Sequence, residues 1–204
     1  MELSHWLSLI SICLLGAMSP GPSLTVVLKS TLDGGQPQGY AAALAHGFGV
    51  AVYGLLTVTG LAVLITSSPP LFLTLQVLGA GYLIYLGIKS LRSEGHTGVQ
   101  SVTQSIRSNA AMQGFLVALL NPKLAIFMLA LFSQFLQPGY AVQEKSIMVA
   151  TAGITDACWY SLIVTLVSRK TFLEKLQRSS RIIDRVFGVI LIALALTVLL
   201  RALL

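Results

Sequence analysis

Acidic residues are scarce in this chain: seven Asp and Glu against 13 Lys and Arg, so that charged side chains are only 10% of its 204 residues. A water-soluble domain carries about 25% charged residues, and so few charges cannot cover a surface of this size. Cysteine is scarcer still. Cys13 and Cys158 stand alone in separate apolar runs, which excludes a disulfide framework and any Cys-x-x-Cys metal or redox motif. Met1-Glu2 lacks the cationic stretch that opens a cleaved secretory signal, and apolar character continues beyond the usual length of one, so the first run is expected to be a retained membrane helix.

Hydrophobic residues fill the space instead, at 55% of the chain, with a mean hydropathy of +0.83. The net charge of +6 would suggest phosphate contacts in a soluble protein. Here the cations sit in short segments between long apolar runs, where they mark cytoplasmic loops and attract anionic lipid headgroups. No nucleic-acid partner is expected.

No Asp, Glu, Lys or Arg occurs from Leu3 to Leu28, enough residues to cross a hydrocarbon core of about 30 Å. Gly34 to Ile88 is also free of them and too long for one crossing; Ser67-Ser68-Pro69-Pro70 divides it by turn chemistry. Ser108 to Gln143 holds only Lys123, Ser146 to Ser168 only Asp156, and Val186 to Leu200 none. The predicted fold is therefore an all-α integral membrane protein with six transmembrane helices. It forms one transporter domain over residues 1–204, arranged as two inverted three-helix repeats: about 1–91, a cytoplasmic loop at about 92–108, and about 109–204. Three spans per half make the repeat inverted. Arg169 to Arg185, with Phe172, Leu173 and Leu176 at helical spacing among cations, reads either as an amphipathic interfacial helix or as a solvated loop.

Prolines mark the first helix of each half, in Ser19-Pro20-Gly21-Pro22 and Asn121-Pro122-Lys123. Each lacks an N–H and crowds the carbonyl four residues earlier, those of Gly16, Met18 and Ala118. Unpaired carbonyls are costly in lipid, so such breaks belong against protein or a water-filled cavity, and paired breaks in two halves point to a transporter's substrate site. A plain proline kink is the structural alternative. In the second helices, Gly47 and Tyr53 are spaced as Gly153 and Trp159 are. Lys123 and Asp156 fall near the middle of their spans, where a charge costs at least about 2.5 kcal/mol. They can pair with each other, bind the two ends of a zwitterion, or carry a proton. His46 is a candidate proton relay, or a packing residue held by hydrogen bonds.

With these motifs, Gly79-Ala80-Gly81-Tyr82-Leu83-Ile84-Tyr85-Leu86-Gly87, Phe132-Ser133-Gln134-Phe135 and Asp156, the whole chain resembles the lysine exporter/homoserine-threonine resistance (LysE/RhtB) family of amino-acid exporters. The resemblance implies export of small amino acids across the bacterial inner membrane by proton antiport, with the proline motifs and Asp156 near the pathway. It differs at Ala45, where the family often has glycine, at Gly47, often a larger polar residue, and at Ser133, often proline. One cation and one anion in the core suit a neutral, homoserine- or threonine-like substrate. The expected partners are that amino acid, protons and anionic lipids at the cytoplasmic face, with a homodimer as a candidate assembly. No cofactor or metal is expected, and no enzymatic activity. Two alternatives are a metal-cation exporter, for which one carboxylate and one histidine are a poor ligand set, and a thiol–disulfide carrier using Cys13 and Cys158. A purely structural subunit is a third.

Lys29, Lys89, Arg92, Arg107, Arg169, Lys170, Lys175, Arg178, Arg181 and Arg185 fall on one side of the predicted spans, Lys145 and Arg201 on the other. Ten cations against two predict a periplasmic location for both termini. A reporter that is active only in the cytoplasm, fused after Leu204, should be silent, and the same reporter inserted at 92–108 should be active; activity after Leu204 refutes the even number of spans.

Overall fold

A computed structural model of the chain describes residues 2–19, 21–93, 109–167 and 170–203. Pro20, Arg107, most of the 92–108 loop and Arg169 lie outside the described residues, as do the side chains of Phe172, Leu173 and Leu176. Seven helices and no strand occur among the described residues: α1 (Leu3–Met18), α2 (Pro22–Ser67), α3 (Pro69–Leu91), α4 (Ala110–Leu120), α5 (Pro122–Phe135), α6 (Val142–Val167) and α7 (Lys170–Leu203). Three of them, α2, α3 and α6, are long and apolar enough to cross a membrane, and α4 with α5, bent by 58°, pass together as a fourth. Large apolar side chains such as Leu44, Phe48, Leu56 and Val63 point outward, while His46, Asp156 and Asp184 are buried inside. A surface apolar outside and polar within is that of a protein dissolved in lipid.

The helix ends follow from local chemistry. α1 stops at Met18 because Ser19 and Gly21 are extended and Pro22 restarts the helix as its first residue. The Ser19 N–H donates to the carbonyls of both Leu15 (3.1 Å) and Gly16 (3.3 Å), which gives the Gly16 carbonyl a partner at the break. α2 is bent at Gly35, whose φ of 76° and ψ of 178° only glycine adopts without strain. Pro37 reinforces the bend, since it has no N–H for the carbonyl of Asp33. The predicted turn at residues 67–70 is present: Ser68 leaves the helix and Pro69-Pro70 open α3. Asn109 caps α4, its Oδ1 accepting from the Ala111 N–H at 3.1 Å. At the start of α6, Glu144 Oε2 accepts from the Ala141 N–H at 2.9 Å, half of a capping box.

Helices in lipid gain nothing from excluding each other's apolar faces from water, so close van der Waals packing must hold them, and small residues permit it. α2 meets α6 where Gly47 faces Gly153. A Cβ on Gly47 would lie 2.6 Å from Ala157 Cβ and 2.7 Å from the Gly153 carbonyl; one on Gly153 would lie 2.9 Å from the Gly47 carbonyl. α3 meets α7 in the same way, a Cβ on Gly87 falling 2.8 Å from the Gly188 carbonyl and one on Gly188 2.6 Å from the Gly87 carbonyl. Both contacts join helices that hold the same place in the two expected halves, as residues beside a two-fold axis do. A third tie links α3 to α5: Gln76 Nε2 donates to the Ser133 carbonyl at 2.8 Å, and Gln134 Nε2 to the Gln76 carbonyl at 3.1 Å.

Gly47→Leu should lower the melting temperature of the purified protein in detergent, since forcing atoms into a filled interface costs about 1–3 kcal/mol. Gly81→Leu should leave it unchanged or raise it, because a Cβ there meets nothing within 4 Å and helical glycine costs about 1 kcal/mol relative to alanine. Equal melting of the two variants overturns the packing argument.

Candidate functional site

The two chain breaks meet. Asn121 ends α4 with an extended backbone, and its side chain caps α5: Oδ1 accepts from the N–H groups of Lys123 (3.0 Å) and Leu124 (3.4 Å). Pro122 takes the first position of α5, where a missing N–H costs nothing. The next residue, Lys123, reaches across to the other break and donates from Nζ to Ser19 Oγ at 3.3 Å. The opposite half-helix is left open, because Gly21 has no side chain with which to cap α2. The first N–H groups of α2 therefore form the bare positive end at the junction, while those of α5 are already engaged.

Behind the junction lies a chamber of about 70 Å³, walled by Ser19, Gly21, Pro22, His46, Asn121, Lys123 and Asp156 together with Cys13, Ser23 and Tyr160. Among the described residues, every predicted site residue except Pro122 is on this wall. Pro122 lines the wider space next to it. Val50, Leu86, Phe127 and Met128 give the chamber an apolar side. One water needs roughly 10–15 Å³ of such volume, so the space takes about five waters or the polar end of a small solute.

Asp156 does not pair with Lys123. Its Oδ2 lies 2.6 Å from Nδ1 of His46, and both side chains are buried. The packing of Gly47 against Gly153 and Ala157 brings these two helices close enough for the contact. The imidazole meets the Tyr160 ring edge-on, 5.1 Å between centroids, and His46 Nε2 has no hydrogen-bond partner among the described residues.

A second space, of about 1,120 Å³, adjoins the chamber on the side of Lys89 and Arg92. Ser19, Gly21, Pro22, Leu86, Lys123 and Phe187 line both. Lys123 is solvent-accessible through this vestibule, which explains how a cation is tolerated there. Near the start of α1 the His5 ring stacks on Phe135 with centroids 4.8 Å apart and its Nδ1 is 3.2 Å from the Tyr140 hydroxyl, while Phe132 and Leu9 are fully buried. Burial, with Glu144 and Glu2 nearby, pushes the Tyr140 phenol above its usual range, so it keeps its proton at physiological pH.

Sequence reasoning missed Asp184, which is buried in α7 and lines the vestibule. It stands among the cations of a segment read as an interfacial helix or a solvated loop, so nothing in its neighbours distinguishes it. The cysteines are separated in role: Cys13 is buried on the chamber wall, while Cys158 is exposed on α6.

Residues 14–202 match the LysE type translocator family. The chain is 34% identical over 169 residues to an uncharacterized membrane protein of Pseudomonas aeruginosa, covering 78% of each. It is 30% identical over 166 residues to the leucine efflux protein of Salmonella typhimurium, covering 79% of this chain and 78% of the relative. An uncharacterized membrane protein of Bacillus subtilis is 26% identical over 197 residues, 91% of this chain and 94% of that one. No solved structure matches the chain.

With both native cysteines replaced by serine, Ser19→Cys and Asn121→Cys should react with a charged, membrane-impermeant thiol reagent applied from the Lys89–Arg92 side. Leu120→Cys, next to the break but 74% exposed on the outer face, should not. Silence at both break positions, or equal reaction at Leu120→Cys, overturns the shared chamber.

Proposed function

The chain belongs to the LysE type translocator family, and from that premise we propose that it is a secondary exporter of small neutral amino acids, driven by proton antiport. The proposal places it in the bacterial inner membrane as six spans in two inverted halves, with both termini periplasmic. The observation that carries the reading is that two broken helices from different parts of the chain meet at one chamber holding Lys123 and the Asp156–His46 pair. The glycine pairs support the inverted halves.

The polar end of a zwitterion suits the chamber. Its ammonium goes to Asp156, and its carboxylate to Lys123 and the uncapped start of α2, a ready anion site. The α5 start serves less well, because Asn121 already occupies it. The side chain then faces Val50, Leu86, Phe127 and Met128, which favours an aliphatic neutral amino acid over a hydroxylated one. A relative that bears the name leucine efflux protein points the same way. Metal export has weaker support, since the two best ligands of the chamber are bonded to each other.

Coupling follows from charge. The deprotonated Asp156–His46 pair is negative and holds an ammonium; the protonated pair is neutral and releases it. Proton and substrate thus compete for one site, as antiport requires. The vestibule on the cation-rich side fits a state open to the cytoplasm for loading. One proton entering down 100 mV releases about 2.3 kcal/mol, which sustains roughly a fifty-fold gradient of a net-neutral solute.

Amino-acid counterflow with the purified, reconstituted protein tests the reading. Wild type should exchange neutral amino acids. Asp156→Asn should lose the pH dependence of efflux while inserting normally, and Lys123→Gln should raise the half-saturating substrate concentration roughly tenfold or more, the loss expected for a charged hydrogen bond. Normal transport by both variants, with earlier melting in detergent, makes the charges structural and sinks the site.

A further inference from the structure

We propose that Asp184 forms a second ammonium site, in the vestibule, which loads the substrate and hands it to the chamber. The inference rests on the amino-acid reading above. Asp184 is 5% exposed, and its Oδ2 accepts one hydrogen bond, from Ser93 Oγ at 2.6 Å. A carboxylate has about four acceptor positions, and a buried one left without a cation is costly. Among the described residues no ion pair reaches it. Yet Lys89, Arg92 and Lys123 line the same vestibule.

A residue whose only task was to neutralise Lys123 would be expected in direct contact with it. Lys123 instead donates to Ser19, and Asp184 is held by Ser93. A buried carboxylate that lines a space of about 1,120 Å³ together with Lys89, Arg92 and Lys123 is set to receive a molecule with charge of both signs. The ammonium meets Asp184, and the carboxylate meets the cations. Lys123 lines both spaces, so the carboxylate can stay on it while the ammonium moves from Asp184 to Asp156. Leu86 and Phe187 stand between the two spaces, also on both walls. The substrate is caught in the wide space and sheds its water on passing into the narrow one.

Proteoliposomes loaded with L-leucine, or with whichever neutral amino acid the wild type exports fastest, test this on the whole protein. Asp184→Asn should raise the internal concentration for half-maximal efflux roughly tenfold or more and preserve the maximal rate and its pH dependence. Asp184→Glu should restore most of the affinity. Internal 3-methylbutylamine, an ammonium without a carboxylate, should inhibit wild type and lose potency against Asp184→Asn. Unchanged half-saturation in Asp184→Asn overturns the loading site alone. Loss of maximal rate and thermal stability in both Asp184 variants makes the residue structural and likewise overturns it. A wild type inert toward every neutral amino acid removes the underlying reading as well.

Discussion

An amide left without a partner is tolerable in water and costly in hydrocarbon, and this organises the molecule around its two chain breaks. At Ser19–Gly21 and at Asn121 the helical ladder is interrupted inside apolar sequence. Neither interruption can face lipid. Each is answered locally where it can be, by the shared Ser19 N–H and by the Asn121 side chain. What remains is turned inward, and because both breaks have the same need they share one chamber, joined by Lys123 and Ser19. Water and charge then have a place in the protein, and the ionisable residues gather there.

The same constraint explains how the charged residues are partnered. Asp156 is deep and takes a neutralisable partner, His46; Lys123 reaches the vestibule and needs only a hydroxyl. Separate partners leave Lys123 and the Asp156–His46 pair both on the wall of the chamber.

Glycine supplies the precision. Gly47 against Gly153 sets the approach of α2 and α6, and the residues next to it, His46 on one helix and Asp156 on the other, depend on that approach for their 2.6 Å contact. A larger residue at position 47 would force the two helices apart beside the ionisable pair. Ser133, a departure where proline is common, lends its carbonyl to Gln76 and helps fasten α3 to α5.

Much was legible in the sequence because the controlling chemistry is local. Apolar runs, proline positions and the cation bias depend on composition and neighbours alone, and they announced a helical membrane protein, its turns and the two breaks. Ser19, Asn121, Lys123 and Asp156 stood out in the sequence because lipid leaves so few places for polar groups, and all four line one chamber. Pairing was another matter. That Asp156 binds His46, 110 residues away, that Asn121 blocks one helix start while Gly21 leaves the other open, and that Asp184 turns inward from a basic segment all depend on which helix faces lie together. Those choices are made by the glycine contacts between α2 and α6 and between α3 and α7, which the sequence marks only as small residues. Local composition determined what the chain is and where it breaks; tertiary packing alone decided which charge meets which, because a partner's identity is set by distance in space.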